Sequence, residues 1–170
     1  ANRLGASALA QVYKQVGHHG PDLKDPEVLK HFFAAIQDLN RDGLLLAYHD
    51  RSDGGMFATV CEMAFAGRCG LSLDISKLGD DDLALLFNEE LGAVIQIKTS
   101  DASTVAQRLH DAGLAKYSHR IGTISDDDRI TITRGERALL SASRVEFQQA
   151  WSETTREMQA MRDNHECAQE

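Results

Sequence analysis

Positive charge is what this chain most plainly lacks. The 18 lysines and arginines stand against 26 aspartates and glutamates, for a net charge of -8. A surface of that sign repels the phosphates of nucleic acid, which excludes nonspecific nucleic-acid binding but leaves room for a local basic pocket around a phosphorylated metabolite. No apolar run approaches the roughly 18 residues of a membrane-spanning helix, so no membrane span is predicted, and the start carries no signal-peptide pattern. Cysteine is scarce: Cys61, Cys69 and Cys167 form an odd set without metal-like spacing. Cys61 and Cys69 bracket a predicted helix end and read as buried thiols rather than a disulfide, which suits a reducing cytoplasm, the expected location. Internal repeats and low-complexity stretches are absent. The opening Ala1-Asn2-Arg3 has no initiator methionine and begins almost inside a helical pattern, so the chain is read as a piece of something longer.

What remains is ordinary globular material. Hydrophobic residues make up 42% and charged residues 26% of 170 residues, enough for one domain with a substantial core. Leu4, Ala8, Val12 and Val16 recur at helical spacing. Asp25-Pro26 reads as an N-cap followed by proline at the first helical position. The apolar face Val28, Leu29, Phe32, Phe33, Ile36 and Leu39 follows. Leu44 to Tyr48 is a short apolar run that predicts a covered strand. Met56 to Ala66 reads as a helix closed by Gly67, and Leu71 to Ile75 as a strand. A short acidic-capped helix is predicted over 80–87, a strand over 93–97, and a helix capped by Thr99/Ser100 that stops at Gly113. Strands are predicted over 117–123 and 129–133, with a hairpin turn at Arg134-Gly135-Glu136 leading into a strand over 138–143. A last helix over 145–161 carries Phe147, Trp151, Met158 and Met161, of which Trp151 and Met158 read as core or interface packing. The alternation predicts an α/β (α+β) fold, a mixed β-sheet with packed helices, over residues 1–161, followed by a polar tail or linker over 162–170.

One segment carries chemistry: His49-Asp50-Arg51-Ser52-Asp53-Gly54-Gly55. It comes off a predicted strand and opens a helix, and ligands gather at the carboxyl ends of strands in α/β architecture. Gly54 and Gly55 permit positive backbone dihedrals and close approach of a ligand. Amides at the following helix start favour an anion such as phosphate. Asp50 and Asp53 supply hard oxygens suited to magnesium, and Ser52 can bond phosphate or the cation's water shell. The alternative is a polar turn with helix-capping aspartates. His49 fits either a general acid or base or a structural histidine at a strand end. Arg51 fits either phosphate neutralisation or a surface or interface salt bridge.

Several blocks in order extend the pattern: His49 to Gly55, then Glu62-Met63-Ala64-Phe65-Ala66-Gly67, then Leu86-Phe87-Asn88-Glu89-Glu90-Leu91-Gly92. With Leu4 to Ala10 at the start and Trp151 to Thr155 and Arg162-Asp163-Asn164 at the end, the chain resembles the phosphoribosylformylglycinamidine synthase family over nearly its whole length. This is the long, single-chain amidotransferase of purine biosynthesis. The wider superfamily includes aminoimidazole ribonucleotide (AIR) synthase, selenophosphate synthase and thiamine-phosphate kinase. The resemblance implies an AIR synthase C-terminal-like domain from the second of two domain pairs. It also implies Asp50 as a magnesium ligand, Ser52, Gly54 and Gly55 as nucleotide-binding residues, and ATP or ADP with magnesium as the bound group. In that family the nucleotide site of this half is auxiliary, so no catalytic residue is assigned. The Asn88-Glu89-Glu90 block is a family hallmark with no catalytic role assigned, and a helix-end cap is its structural reading.

The same resemblance implies partners that this sequence lacks: N-terminal AIR-synthase-like domains and a glutaminase domain. None of the three cysteines lies in a nucleophile-elbow context such as Gly-x-Cys-x-Gly. The isolated chain is therefore expected to be inactive, to expose apolar surface, and to dimerise through it. The rival from another class is a self-sufficient nucleotide- or phosphate-binding regulatory domain.

Overall fold

The computed structural model describes residues 1–163 and 167. In chain order the elements are α1 (Ala8–Val12), α2 (Pro26–Arg41), β1 (Ala47–Asp50), α3 (Gly55–Gly67), β2 (Gly70–Asp74), α4 (Asp82–Phe87) and β3 (Ala93–Gln96). A 3-10 turn at Thr99–Asp101 leads into α5 (Ala102–Asp111), and a second at Ala115–Tyr117 precedes β4 (Gly122–Ser125), β5 (Arg129–Arg134), β6 (Arg137–Ser143) and α6 (Arg144–Arg162). They form two compact units, Ala1–Met63 with Ser76–Ile121, and Ala64–Ile75 with the chain from Gly122 onward. The mixed α/β class is the one the sequence predicts. The strands divide between a two-stranded antiparallel sheet, β1-β3, in the first unit and a four-stranded sheet in the second.

In the first unit α2 starts where its signals place it. The Asp25 side chain accepts from the Glu27 N–H, Pro26 occupies the first turn, and Ala35, Ile36 and Leu39 are buried. Its exit displaces the predicted strand. Asp42 and Gly43 close the helix by donating to Asp38 and Asn40 carbonyls, and Leu44 donates to Leu39. Those bonds hold residues 42–44 on the helix end, so β1 begins at Ala47 and extends through His49 and Asp50. It pairs with β3 from Ala47 opposite Gln96 to Asp50 opposite Ala93.

The predicted first helix is much shorter than its apolar spacing. Only Ala8–Val12 is helical, capped by Ser7. Ahead of it the Gly5 and Ala6 amides donate to His19 and Val16 carbonyls, and Ala6 sits at φ 58°. That turn uses the backbone groups a longer helix would need, and Val12 and Val16 are exposed. The helix after β3 is likewise capped differently, with no side-chain cap bond at its start.

The second unit is a sheet in the order β4-β2-β5-β6. β2 and β5 run parallel in the middle, and β4 and β6 are antiparallel edges. Alternate residues Leu73, Ile130 and Ile132, with Ile75, are buried, as one covered face requires. The β5–β6 hairpin turns at Gly135, φ 58°, where the sequence puts it. The strand predicted from Tyr117 begins only at Gly122, because Tyr117 closes a 3-10 turn. α6 opens with a reciprocal capping box between Ser143 and Glu146. Its Trp151 packs on Phe65 at 5.9 Å yet is 60% exposed, and Met158 and Met161 are exposed.

The three cysteines are free. Cys61 is buried, and burial pushes its thiol up to about 12, which makes it inert as a nucleophile. Cys69 is half-buried and Cys167 exposed. The predicted tail lies, beyond Arg162, Asp163 and Cys167, outside the described residues. Among those residues no helix is long and apolar enough to cross a membrane.

Candidate functional site

The turn leaves β1 with its side chains sorted by strand alternation. Ala47 and His49 are half-covered, whereas Tyr48 and Asp50 are exposed on the opposite face. Desolvation, and after it the charge of Asp50, hold the Tyr48 phenol above its ordinary value. Ser52 and Asp53 are also exposed. Asp50, Ser52 and Asp53 thus present two carboxylates and a hydroxyl outward. Gly54 and Gly55, at φ 81° and 68°, then turn the chain into α3. At Gly55 an added Cβ would lie 2.7 Å from the Leu86 and Asn88 carbonyl oxygens, so only glycine brings the turn this close to its neighbour.

That neighbour is the connection between α4 and β3. Asn88 is fully buried; its side-chain amide donates to the Ala84 carbonyl at 2.5 Å and the Leu85 carbonyl at 3.3 Å, and its oxygen accepts from the Glu90 N–H at 3.2 Å. Glu89 Oε1 accepts the Gly54 N–H at 2.9 Å and the Ala8 N–H at 2.8 Å. Glu90, 8% exposed, receives Arg3 through Nε at 2.5 Å and Nη2 at 2.8 Å. This fork holds the Glu90 carboxyl below the usual carboxylate range and raises the Arg3 guanidinium. Arg3 also donates to the Asp22 carbonyl.

Arg51 runs along the same connection. Its N–H donates to the Gly92 carbonyl at 2.8 Å, its Nε to Glu90 at 2.6 Å and its Nη2 to Leu91 at 3.2 Å. Desolvation lowers its pKa, with Glu90 acting in the opposite sense. Arg51 is therefore a brace on backbone carbonyls, neither of the two roles its sequence position suggested. His49 is similarly engaged: Nδ1 lies 2.7 Å from the Asp50 carbonyl oxygen and Nε2 3.0 Å from Glu62 Oε2. With both nitrogens occupied, the structural role at a strand end is the one this geometry favours.

Chemically, the site differs from a simple phosphate cradle. The Gly54 amide is taken by Glu89, and the Gly55 amide donates to the Ser52 carbonyl at 3.0 Å. What faces solvent is carboxylate and hydroxyl oxygen, a donor set for a hard cation. No group of three or more histidine, cysteine, aspartate or glutamate side chains suitable for a metal occurs among the described residues. Magnesium held with a nucleotide takes only one or two protein carboxylates, its other positions going to phosphates and water. Asp50 fits that use and does not fit a closed, all-protein site. The structure thus brings Asp50, Ser52, Gly54 and Gly55 into one turn. The residues that sequence reasoning left without a role are Glu89, Glu90 and Arg3, which lock the turn from distant segments. The Asn88-Glu89-Glu90 block was the signal for them, but its partners lie too far along the chain to be read from spacing.

The family described as AIR synthase related protein, C-terminal domain, matches residues 2–135. Among solved structures, T. maritima PurL complexed with FGAR superposes with a TM-score of 0.65 at 14% identity, over 73% of this chain and 21% of that one. T. maritima PurL complexed with ATP gives a TM-score of 0.65 at 15% identity, over 84% and 23%. E. coli HypE, a hydrogenase maturation protein, gives a TM-score of 0.51 at 26% identity, over 65% and 38%. The chain spans about a fifth of the length of the PurL structures it matches.

Proposed function

The chain belongs to the AIR synthase related protein C-terminal domain family, and from that premise we propose that it is such a domain of a phosphoribosylformylglycinamidine synthase, contributing one wall of a nucleotide–magnesium site. The observation that carries the proposal is the turn between β1 and α3, which keeps Asp50 and Ser52 exposed while its backbone is locked from behind by Glu89 and Arg51. Fold likeness to T. maritima PurL, seen in complexes with ATP, AMPPCP and ADP, supports it.

In this reading residues 1–161 form the folded domain of a cytoplasmic enzyme of purine biosynthesis. Asp50 is the protein ligand of magnesium, Ser52 contacts the nucleotide, and Gly54-Gly55 shape the bend against which it rests. Bound magnesium would offset phosphate charge. The parent reaction uses ATP to activate the formyl amide oxygen of formylglycinamide ribonucleotide, and ammonia from glutamine displaces the phosphate to give the amidine. This domain holds nucleotide; the N-terminal AIR-synthase-like and glutaminase domains of the parent supply the rest. Exposed apolar side chains such as Phe33, Trp151 and Met158 face those domains in the parent and a second copy in isolation. A clean monomer at high concentration in size-exclusion chromatography would count against that last point.

Calorimetric titration with magnesium-ATP tests the site. Wild type should bind, and Asp50→Ala should lose most of the affinity without loss of fold. Equal binding by the two proteins refutes the assignment.

A further inference from the structure

Glu89 is a half-buried carboxylate with an unusual set of partners. Its Oε1 accepts two backbone N–H groups, from Gly54 at 2.9 Å and Ala8 at 2.8 Å, which belong to segments far apart in sequence. Among the described residues no cation pairs with it, whereas the adjacent Glu90 is paired with Arg3. A carboxylate whose contacts are backbone amides orders backbone, and charge-assisted bonds of this kind are about twice as strong as neutral ones. Its place at the start of α3 suits a negative charge, because the helix dipole is positive there. Glu89 itself is fixed, since the preceding Asn88 is fully buried and bonded to the last turn of α4.

Building on the assignment of Asp50 and Ser52 as ligand residues, we propose that Glu89 is a positioning residue of this site. A single carboxylate oxygen sets the Gly54 turn in the geometry that presents Asp50 and Ser52, and couples that geometry to the N-terminal segment Arg3 to Ala8. The segment is attached to the same connection twice, by Arg3 on Glu90 and by Ala8 on Glu89. The segment therefore takes part in the site through the Ala8 N–H and the Arg3 guanidinium. A shift of Ala8 moves the Glu89 carboxylate, and the Gly54 amide follows.

Two substitutions isolate the two arms. Glu89→Gln removes the charge and keeps the shape. Ala8→Pro deletes one donor: Ala8 is the first residue of α1 and Ser7 is extended at φ -71°, ψ 162°, so proline is accommodated there. Ile130→Val, in the sheet of the other unit, is a stability control. The full chain is titrated with magnesium-ADP to millimolar concentration while the amide resonances of Ser52, Gly54 and Gly55 are followed, with a thermal melt of each variant. Glu89→Gln and Ala8→Pro should each weaken binding about tenfold. Ile130→Val should bind like wild type at a lower melting temperature. Glu89→Gln that melts lower but binds normally, while Asp50→Ala does not bind, overturns this proposal and leaves the site assignment standing. Ala8→Pro that leaves both binding and the Gly54 resonance unchanged overturns the coupling. Turn resonances that do not move in wild type, or that move equally in Asp50→Ala, overturn the site assignment and this proposal with it.

Discussion

At the scale of single residues, Gly55 is the glycine that the packing of the turn requires. Gly54-Gly55 reads as a place where a ligand meets backbone; at Gly55 an added Cβ would lie 2.7 Å from main-chain atoms of Leu86, Phe87 and Asn88, whereas at Gly54 it would meet the Ala58 Cβ. Gly55→Ala adds a left-handed penalty to a clash with main-chain atoms that cannot rotate away, a loss of about 2–4 kcal/mol. Gly43 shares the φ, 68°, but has nothing within 4 Å of an added Cβ, so Gly43→Ala should cost only about 1 kcal/mol. Denaturant unfolding of the two variants separates these terms, and equal losses would rule out the packing account. The fork of half-buried Arg3 on buried Glu90 makes a pH prediction. Its folded carboxyl titrates below the ordinary range, so its stabilisation is present above that range and lost as pH falls through the depressed value. Melting temperatures of wild type and Glu90→Gln should differ fully near pH 7 and converge as pH falls below about 4. A constant gap would show that the carboxylate charge contributes nothing.

Elements were legible where the signal is local. Asp25-Pro26 fixed the start of α2, and Arg134-Gly135-Glu136 fixed the hairpin, because caps and turns involve neighbours two or three residues away. The first helix is shorter than its spacing predicts: Leu4, Ala8, Val12 and Val16 recur at helical intervals, while the bonds that break the pattern run from Gly5 and Ala6 to His19 and Val16. The candidate site divides the same way. Asp50, Ser52 and the glycines are contiguous and were visible. Glu89 and Glu90 reach residues more than 30 positions away, a distance at which neither periodicity nor capping carries information. The best local device is the capping box of α6, where the Ser143 hydroxyl accepts the Glu146 N–H at 3.1 Å and Glu146 accepts the Ser143 N–H at 2.8 Å. No side chain of α6 is fully buried, so its ends matter more to it than they do to α2. Ser143→Ala should cost about 1 kcal/mol. Thermal melts followed by circular dichroism at a helix wavelength check this, and an unchanged midpoint would mean that the sheet alone holds the helix start.

For the molecule as a whole, activity is a question of what these residues can assemble. The described residues offer a turn with Asp50, Ser52 and Asp53 outward and no complete metal cluster. A phosphoryl group in transfer must be held on several sides by cations and fixed donors, and it gains little from one wall of a cleft. Cys61, the buried thiol, is held protonated and cannot serve as the nucleophile that releases ammonia from glutamine. The chain covers only about a fifth of the PurL structures it resembles in fold. The isolated chain should therefore form no amidine from formylglycinamide ribonucleotide, even with ATP and magnesium present and ammonium chloride in place of glutamine. Supplying ammonium matters, because it bypasses the glutaminase and makes a negative result report on the nucleotide cleft itself. Magnesium-ATP titration of the same sample shows whether one wall still holds ligand without chemistry. ATP-dependent amidine production above a no-protein control would mean that the cleft is complete within these residues, and the assignment to one wall of a shared site would fall.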